Sequence, residues 1–173
     1  MFKEKFDLDL DFLKMKSPHL IGVDISSSSV KMVELSISNK GNQTYRIERY
    51  AIEPLPDDAM LEGGIVNLEV VSDCMQRGWK RMGTRQKNVA LALPVTDVIT
   101  KKIIVPAGQR EDDLIFQVEN EASQYIPFPL DEIDLDFQIV KPVSESVDEV
   151  EVLIAASRKE KVEDRVDAAL SAG

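Results

Sequence analysis

The sequence contains one cysteine, few aromatic residues and no long hydrophobic run. Its single thiol, Cys74, cannot form an internal disulfide, which excludes a disulfide-stabilised secreted scaffold. Cys74 lies in a helical pattern of apolar residues, so we expect it to be buried. No apolar stretch approaches the roughly 18 residues that span a bilayer, and the N-terminus lacks the continuous apolar core of a secretory signal. These absences favour a cytoplasmic protein without direct membrane insertion.

Basic residues are also scarce, with 21 Lys and Arg against 31 Asp and Glu and a formal net charge of -10. The acidic excess repels nucleic-acid phosphates, so the sequence predicts no nucleic-acid partner. All of the excess lies in residues 96–156, which hold four basic and fourteen acidic side chains, while the other residues balance. Such a step in composition is expected of an inserted subdomain, and a solvated acidic face would explain it equally well.

The pattern of the first half predicts strands followed by one helix. The hydrophobic content of 43% is enough to bury a core, in one domain or two small ones. Asn67 is placed to cap a helix that Gly83 terminates, and a short strand follows at Asn88–Leu93. Alternating apolar residues before that helix predict an antiparallel meander of three strands: His19–Ile25, Val30–Ile37 and Thr44–Ile52. The order is therefore β-β-β-α-β.

The acidic segment repeats a different order, β-α-β-β. Its helix, Gln109–Tyr125, carries Leu114, Ile115, Val118, Ala122 and Tyr125 on one apolar stripe and is stopped by prolines. The predicted strands are Val98–Val105, Ile133–Val140 and Val150–Ala156. A final helix is expected to begin at a capping box formed by Ser157 and Glu160. Its expected apolar face holds Val162, Val166, Ala169 and Leu170.

The one segment that resembles a phosphate site lies between the first two predicted strands. Asp24 ends a buried strand, Ser26, Ser27, Ser28 and Ser29 form a tight turn, and Lys31 opens the next strand. Backbone N–H groups and hydroxyls in such a turn can bind an anion, Lys31 would supply positive charge, and Asp24 could hold magnesium through water. A polar hairpin turn without any ligand explains the same residues.

Four segments together resemble the PilM family of type IV pilus assembly proteins, which are actin-like ATPases similar to FtsA. These segments are G-V-D-I-S-S-S-S-V-K-M-V-E-L from Gly22, E-G-G-I-V from Glu62, V-A-L-A-L-P from Val89 and E-A-S-Q-Y-I-P-F-P from Glu121. The resemblance covers about residues 18–173. It implies an α/β fold, more closely α+β, of the actin-like and ribonuclease H-like class.

The family's organisation implies four parts in this chain. Residues 18–95 would form the first part of subdomain 1A, residues 96–156 an inserted acidic subdomain 1C, and residues 157–173 a helix that returns to 1A. The rest of the actin-like fold would be absent, so the chain is expected to be an N-terminal half. Residues 1–17 would be an N-terminal extension, either disordered or helical.

The resemblance also implies cofactors, ATP and magnesium, for the full-length protein. Asp24 falls at the magnesium-side aspartate, Ser26, Ser27, Ser28 and Ser29 at the phosphate turn, and Lys31 at the phosphate-contacting lysine. Ser26 replaces the glycine that is usual in the family, and its side chain could crowd a phosphate. No catalytic residue is assigned. A weak ATPase activity is open for the full-length protein, and this chain alone is expected to be inactive and to bind ATP weakly or not at all.

The implied partner is the N-terminal cytoplasmic peptide of the inner-membrane protein PilN, held in a groove between 1A and 1C. Such a peptide is commonly basic and would be attracted by the acidic segment. Gln117, Glu121 and Tyr125 are the candidate contacts. Recruitment to the inner membrane would then run through this partner, and other pilus assembly proteins and self-association are further expectations. Two alternatives are an FtsA-like cell-division membrane adaptor and a sugar-kinase-like phosphotransferase of the same superfamily.

Overall fold

A computed structural model describes residues 20–39, 44–142 and 148–173. The predicted N-terminal extension, residues 1–17, and the start of the first predicted strand, His19, lie outside the described residues. The chain divides into two compact units. Unit 1 consists of the described residues up to Pro94 together with Glu163–Gly173, and unit 2 consists of Val95–Val162.

Nine strands and three α-helices follow one another along the described chain. They are β1 (Ile21–Ile25), β2 (Ser29–Asn39), β3 (Thr44–Pro54), β4 (Met60–Leu61), β5 (Gly64–Ile65), α1 (Leu68–Met82), β6 (Val89–Leu91), β7 (Ile99–Pro106), α2 (Glu111–Tyr125), β8 (Ile133–Pro142), β9 (Glu149–Arg158) and α3 (Lys159–Ala172). None of these helices is both long and apolar enough to cross a membrane.

Unit 1 is built on a four-stranded sheet in the order β3-β2-β1-β6. Strand β2 pairs antiparallel with both β1 and β3, and β6 pairs parallel with β1. The predicted three-stranded meander is therefore confirmed. It lies in register so that Asp24 is opposite Lys31 at the turn end of the first hairpin.

Helix α1 covers one face of this sheet. The side chain of Asn67 accepts a hydrogen bond from the Val70 N–H at 3.3 Å, and Gly83 ends the helix in the left-handed conformation at φ 62°, so both predicted helix ends are confirmed. Cys74 is fully buried, as predicted. The helix approaches the sheet most closely at Gly78, where an added Cβ would lie 2.8 Å from the Met32 sulfur.

A small hairpin, β4 and β5, lies in the loop before α1, where we predicted no strands. Its two turn residues, Glu62 and Gly63, both have positive φ, of 49° and 81°. Such a turn normally favours Asn or Asp before glycine. The Gly63 carbonyl accepts a hydrogen bond at 2.9 Å from Nη2 of Arg165 on α3. The hairpin is thus tied to a residue about one hundred positions later in the chain.

Unit 2 contains a three-stranded antiparallel sheet in the order β7-β9-β8, with α2 on one face. The helix buries Leu114, Val118 and Ala122. The prediction that Ile115 and Tyr125 share this buried stripe is wrong, because both side chains are exposed. The two residues lie at the borders of the stripe, where helical spacing alone does not decide burial.

The predicted start of the final helix is wrong, and its predicted apolar face is confirmed only in part: Ala169 packs against the core of unit 1, whereas Val166 and Leu170 are exposed. Strand β9 continues through Ser157 and Arg158, with Ser157 opposite Asp134, so Ser157 does not cap α3. In unit 1 the helix buries Arg165, Ala168 and Ala172, whereas Leu170 is 72% exposed. Arg165 lies on the buried face of the helix, where a pattern of apolar residues would not place an arginine.

Candidate functional site

The predicted phosphate residues do lie together at one end of the first hairpin. Asp24 and Lys31 are paired across β1 and β2, and Lys31 Nζ donates to Asp24 Oδ2 at 3.0 Å. Their side chains are 55% and 49% exposed. Both charges therefore face solvent beside the turn and neutralise each other in the absence of a ligand.

The serine turn between these strands is closed by Ser26 and Ser29. The Ser26 N–H donates to the Ser29 carbonyl at 3.0 Å, and the Ser26 hydroxyl donates to the same carbonyl at 2.9 Å. The two hydroxyl oxygens are 3.2 Å apart. The turn is also attached to the end of β3, because the Leu55 N–H donates to the Ser28 carbonyl at 2.9 Å. Ser26 is therefore a structural residue of the turn.

The side chains of Ser27 and Ser28 take no part in this network and are exposed. Within the described ranges their N–H groups and hydroxyls form no hydrogen bond. Two adjacent N–H donors, two hydroxyls and the neighbouring Lys31 ammonium are suited to an anionic oxygen. Among the residues that the structure describes, no three His, Cys, Asp or Glu side chains lie close enough together to form a metal site. The donor set thus fits a phosphate better than it fits a cation held by protein alone.

The three candidate peptide contacts lie on one face of α2, four residues apart. Gln117 is half-buried, and its Oε1 accepts a hydrogen bond from Gln109 Nε2 at 2.9 Å. Glu121 is also half-buried, and Tyr125 is 48% exposed. The face therefore offers a fixed amide, a carboxylate and an accessible aromatic ring.

Lys101 completes this surface and was not among the predicted contacts. Its Nζ lies 4.3 Å from the centre of the Tyr125 ring, a distance typical of a cation–π interaction. Lys101 lies on β7, an edge strand that pairs only with β9 among the described residues of unit 2. Since the contact joins two elements distant in sequence, helical spacing could not have identified it.

A cavity of about 160 Å³ lies within unit 2, near the end of α2. Its apolar lining comes from Ile99, Ile126, Phe128, Ile133 and Ala156, and its polar lining from Thr96, Asp97, Ser157, Arg158 and Lys161. The Arg158 guanidinium lies over the Phe128 ring at 5.6 Å. The sequence analysis identified the segment that holds Ile126 and Phe128 as a helix stop and as part of the family resemblance, and assigned it no binding role. In the structure the same segment forms a wall of this cavity.

Two comparisons with known proteins, one with family models and one with solved structures, agree on one family. The family model described as type IV pilus assembly protein PilM matches residues 22–173. A solved structure, "PilM-PilN type IV pilus biogenesis complex", is similar with a TM-score of 0.77 and 30% sequence identity. The match covers 90% of this chain and 45% of that chain. This chain therefore spans less than half the length of the protein that it resembles.

Proposed function

Because the chain belongs to the family of the type IV pilus assembly protein PilM, we propose that it is an adaptor in type IV pilus assembly that binds the N-terminal cytoplasmic peptide of PilN. The main support is the similarity to a PilM structure solved in complex with PilN, over 90% of this chain. In this proposal the protein is cytoplasmic, and PilN recruits it to the inner membrane.

The α2 face of unit 2 is the part of the chain best suited to a basic peptide. Its first turn carries three exposed acids, Glu111, Asp112 and Asp113, of which Asp113 is ion-paired with Arg110, and Glu121 follows on the face that holds the candidate contacts. A cytoplasmic segment that precedes a membrane span is commonly rich in Lys and Arg. Opposite charges would accelerate its association and favour it over acidic peptides.

A peptide-binding measurement tests the proposal. A fluorescently labelled synthetic peptide, with the N-terminal cytoplasmic sequence of PilN from the same organism, is titrated with the protein at increasing salt. We expect saturable binding that weakens with salt. Glu121→Lys should weaken binding about tenfold by charge reversal. The matched control Glu163→Lys, at an exposed position of α3 in unit 1, should bind the peptide as the unmodified protein does.

Absence of binding at low salt would refute the adaptor proposal for this chain. Two other functions would then take its place: an FtsA-like membrane adaptor, or a sugar-kinase-like phosphotransferase. Vesicle binding by a chain of the relatives' length would favour the first. ATP-dependent phosphorylation of a sugar would favour the second.

We also propose that unit 1 and unit 2 correspond to subdomains 1A and 1C of an actin-like fold, and that the serine turn binds the phosphates of ATP. Ser27 and Ser28 would donate to phosphate oxygens, and Lys31 would leave Asp24 to neutralise them. Asp24 would then be released toward a magnesium ion held through water. Bound ATP and magnesium would signal the nucleotide state of the protein to the pilus machinery.

Calorimetry tests the nucleotide proposal directly. The match covers 45% of the similar PilM chain and includes one candidate phosphate turn, so we expect ATP affinity weaker than micromolar. Ser26→Gly restores the residue usual in the family and removes a side chain that would lie next to a bound phosphate, together with its hydrogen bond to the Ser29 carbonyl. Ser26 has no left-handed backbone, so glycine is not needed by the turn itself. We therefore expect Ser26→Gly to improve ATP affinity, and an unchanged affinity would contradict steric crowding by Ser26.

A further inference from the structure

We propose that the cavity of unit 2 is the anchor pocket of the peptide site. It would take one apolar side chain of the bound peptide, while the Ser157 hydroxyl forms a hydrogen bond with the peptide backbone beside that side chain. This inference rests on the proposed function and adds to it the class of side chain that the site selects.

The size and lining of the cavity fit an apolar side chain. The cavity measures about 160 Å³, and its apolar wall consists of three isoleucines, a phenylalanine and an alanine. An apolar cavity of about 150 Å³ can hold a benzene molecule. The pocket therefore accommodates a leucine, isoleucine or phenylalanine side chain. A smaller side chain would leave part of the apolar wall without contacts.

Ser157 gives an independent sign of a ligand. The residue is 8% exposed and lines the cavity, and its hydroxyl oxygen is buried without a hydrogen-bond partner among the described residues. Nearly all buried polar groups in proteins have such a partner. A backbone N–H or carbonyl of a bound peptide would supply it. The Ser157 hydroxyl is therefore a buried polar group beside the apolar wall of the pocket that a ligand could pair.

The charged residues at the cavity restrict what can enter. Arg158 and Lys161 line it together with the acid Asp97, and Arg158 is ion-paired with Glu160 at 2.8 Å, so the charges at the cavity balance. An inserted Lys or Arg side chain would therefore meet no net negative charge there, whereas the acidic first turn of α2 attracts such residues elsewhere. The recognised peptide should thus combine basic residues with one apolar residue that enters the pocket.

Two substitutions on β7 distinguish the role of the pocket from that of the surrounding surface. Ile99→Phe on β7 enlarges a lining residue and fills the cavity. The matched control is Ile104→Phe, an exposed position on the same strand that does not line the cavity. With the PilN peptide described above, we expect Ile99→Phe to weaken binding about tenfold or more and Ile104→Phe to leave it unchanged.

Peptide variants identify the side chain that enters. Each apolar residue of the peptide is replaced by alanine in turn. One replacement should weaken binding to the unmodified protein about tenfold and have no further effect on Ile99→Phe, because the pocket is already filled. Such a loss of additivity is expected only for groups that contact each other.

Ser157→Ala tests the polar half of the pocket even if Ile99→Phe fails to fold. Removing a buried hydroxyl without a partner should leave the melting temperature unchanged or raise it. Peptide binding should nevertheless weaken about two- to tenfold, because a hydrogen bond in the complex is lost. A residue with a purely structural role would lower the melting temperature and not the affinity of the folded protein.

The possible failures are distinguishable. If the unmodified protein does not bind the peptide, the proposed function fails and the pocket assignment fails with it. If the unmodified protein binds and both Ile99→Phe and Ser157→Ala bind equally well, the adaptor function stands and the anchor pocket is refuted.

Discussion

Lys31 donates a hydrogen bond to Asp24 across the first hairpin, from the position directly opposite it in the adjacent strand. The arrangement holds two opposite charges beside the serine turn while both remain accessible to water. Because water screens such a pair, its contribution to stability is small. Its two charges are better understood as available to a ligand: an anionic ligand can pair with Lys31 in place of Asp24.

The first prediction concerns this pair. The double variant Asp24→Asn with Lys31→Met removes both charges and keeps the size of both side chains. We expect the free energy of unfolding to change by less than about 1 kcal/mol, because the pair is half-exposed. Urea denaturation followed by circular dichroism measures it. A loss of several kcal/mol would show that the pair is a structural element of the hairpin.

The second prediction concerns the contact of α1 with the sheet at Gly78. A Cβ at this position would lie 2.8 Å from the Met32 sulfur and 3.3 Å from Glu53 Cγ. Overpacking of this kind costs about 1–3 kcal/mol, and the better helix propensity of alanine returns about 1 kcal/mol. We expect Gly78→Ala to destabilise unit 1 by about 1 kcal/mol in thermal unfolding. The exposed control Asp73→Ala, on the same helix, should not destabilise it.

The third prediction concerns the buried carboxylate of Glu53. Its side chain is 4% exposed, with Arg81 Nη1 at 3.0 Å from Oε1 and Arg77 Nε at 3.8 Å from Oε2. The first pair lacks the geometry of a hydrogen bond, so it is mainly a Coulomb contact. Both arginines are exposed and water can solvate them when Glu53 is removed, whereas Glu53 cannot be solvated when they are removed.

We therefore expect an asymmetry between the two ways of breaking this cluster. The double variant Arg77→Ala with Arg81→Ala should cost about 2–4 kcal/mol of unfolding free energy, and Glu53→Gln about 1 kcal/mol. Urea denaturation of both, with the exposed Lys80→Ala as the control, makes the comparison. Equal losses would contradict the role of burial.

The fourth prediction concerns pH and the exposed hydrogen bonds of Glu48 on β3. Hydrogen bonds, first from the Ser36 hydroxyl and second from Arg46, lower the pKa of Glu48 below its ordinary value. A carboxyl with a lowered pKa in the folded state stabilises the fold above its unfolded pKa. This contribution is lost as the pH falls through the lower, folded value. Ser36→Ala should raise the pKa of Glu48 toward its ordinary value, which an NMR titration of the Glu48 carboxyl would detect.

Local signals predicted much of unit 1. A cap such as Asn67 and a terminator such as Gly83 act within one helical turn, so the sequence alone reveals them. The register that places Asp24 opposite Lys31 also follows from two neighbouring strands and a short turn. The residues of the candidate phosphate site were identifiable for the same reason.

Features that depend on distant residues could not be predicted in this way. The buried face of α3 includes Arg165, which donates to the Gly63 carbonyl, and no helical pattern contains that information. The cavity of unit 2 draws its walls from four separate segments of the chain. Ser157 was interpreted as a helix cap because its spacing from Glu160 fits one, although the strand continues through it.

The division of the chain into its two units has a consequence for biosynthesis. Unit 2 is one continuous segment, whereas the core of unit 1 includes Ala168 and Ala172 from the end of the chain. A ribosome adds about 5–20 residues per second, and domains fold as their residues emerge. Unit 2 can therefore complete its core before residues 163–173 of unit 1 have been added. During the roughly 0.5–2 s that their synthesis takes, the core of unit 1 lacks the contacts of Ala168 and Ala172.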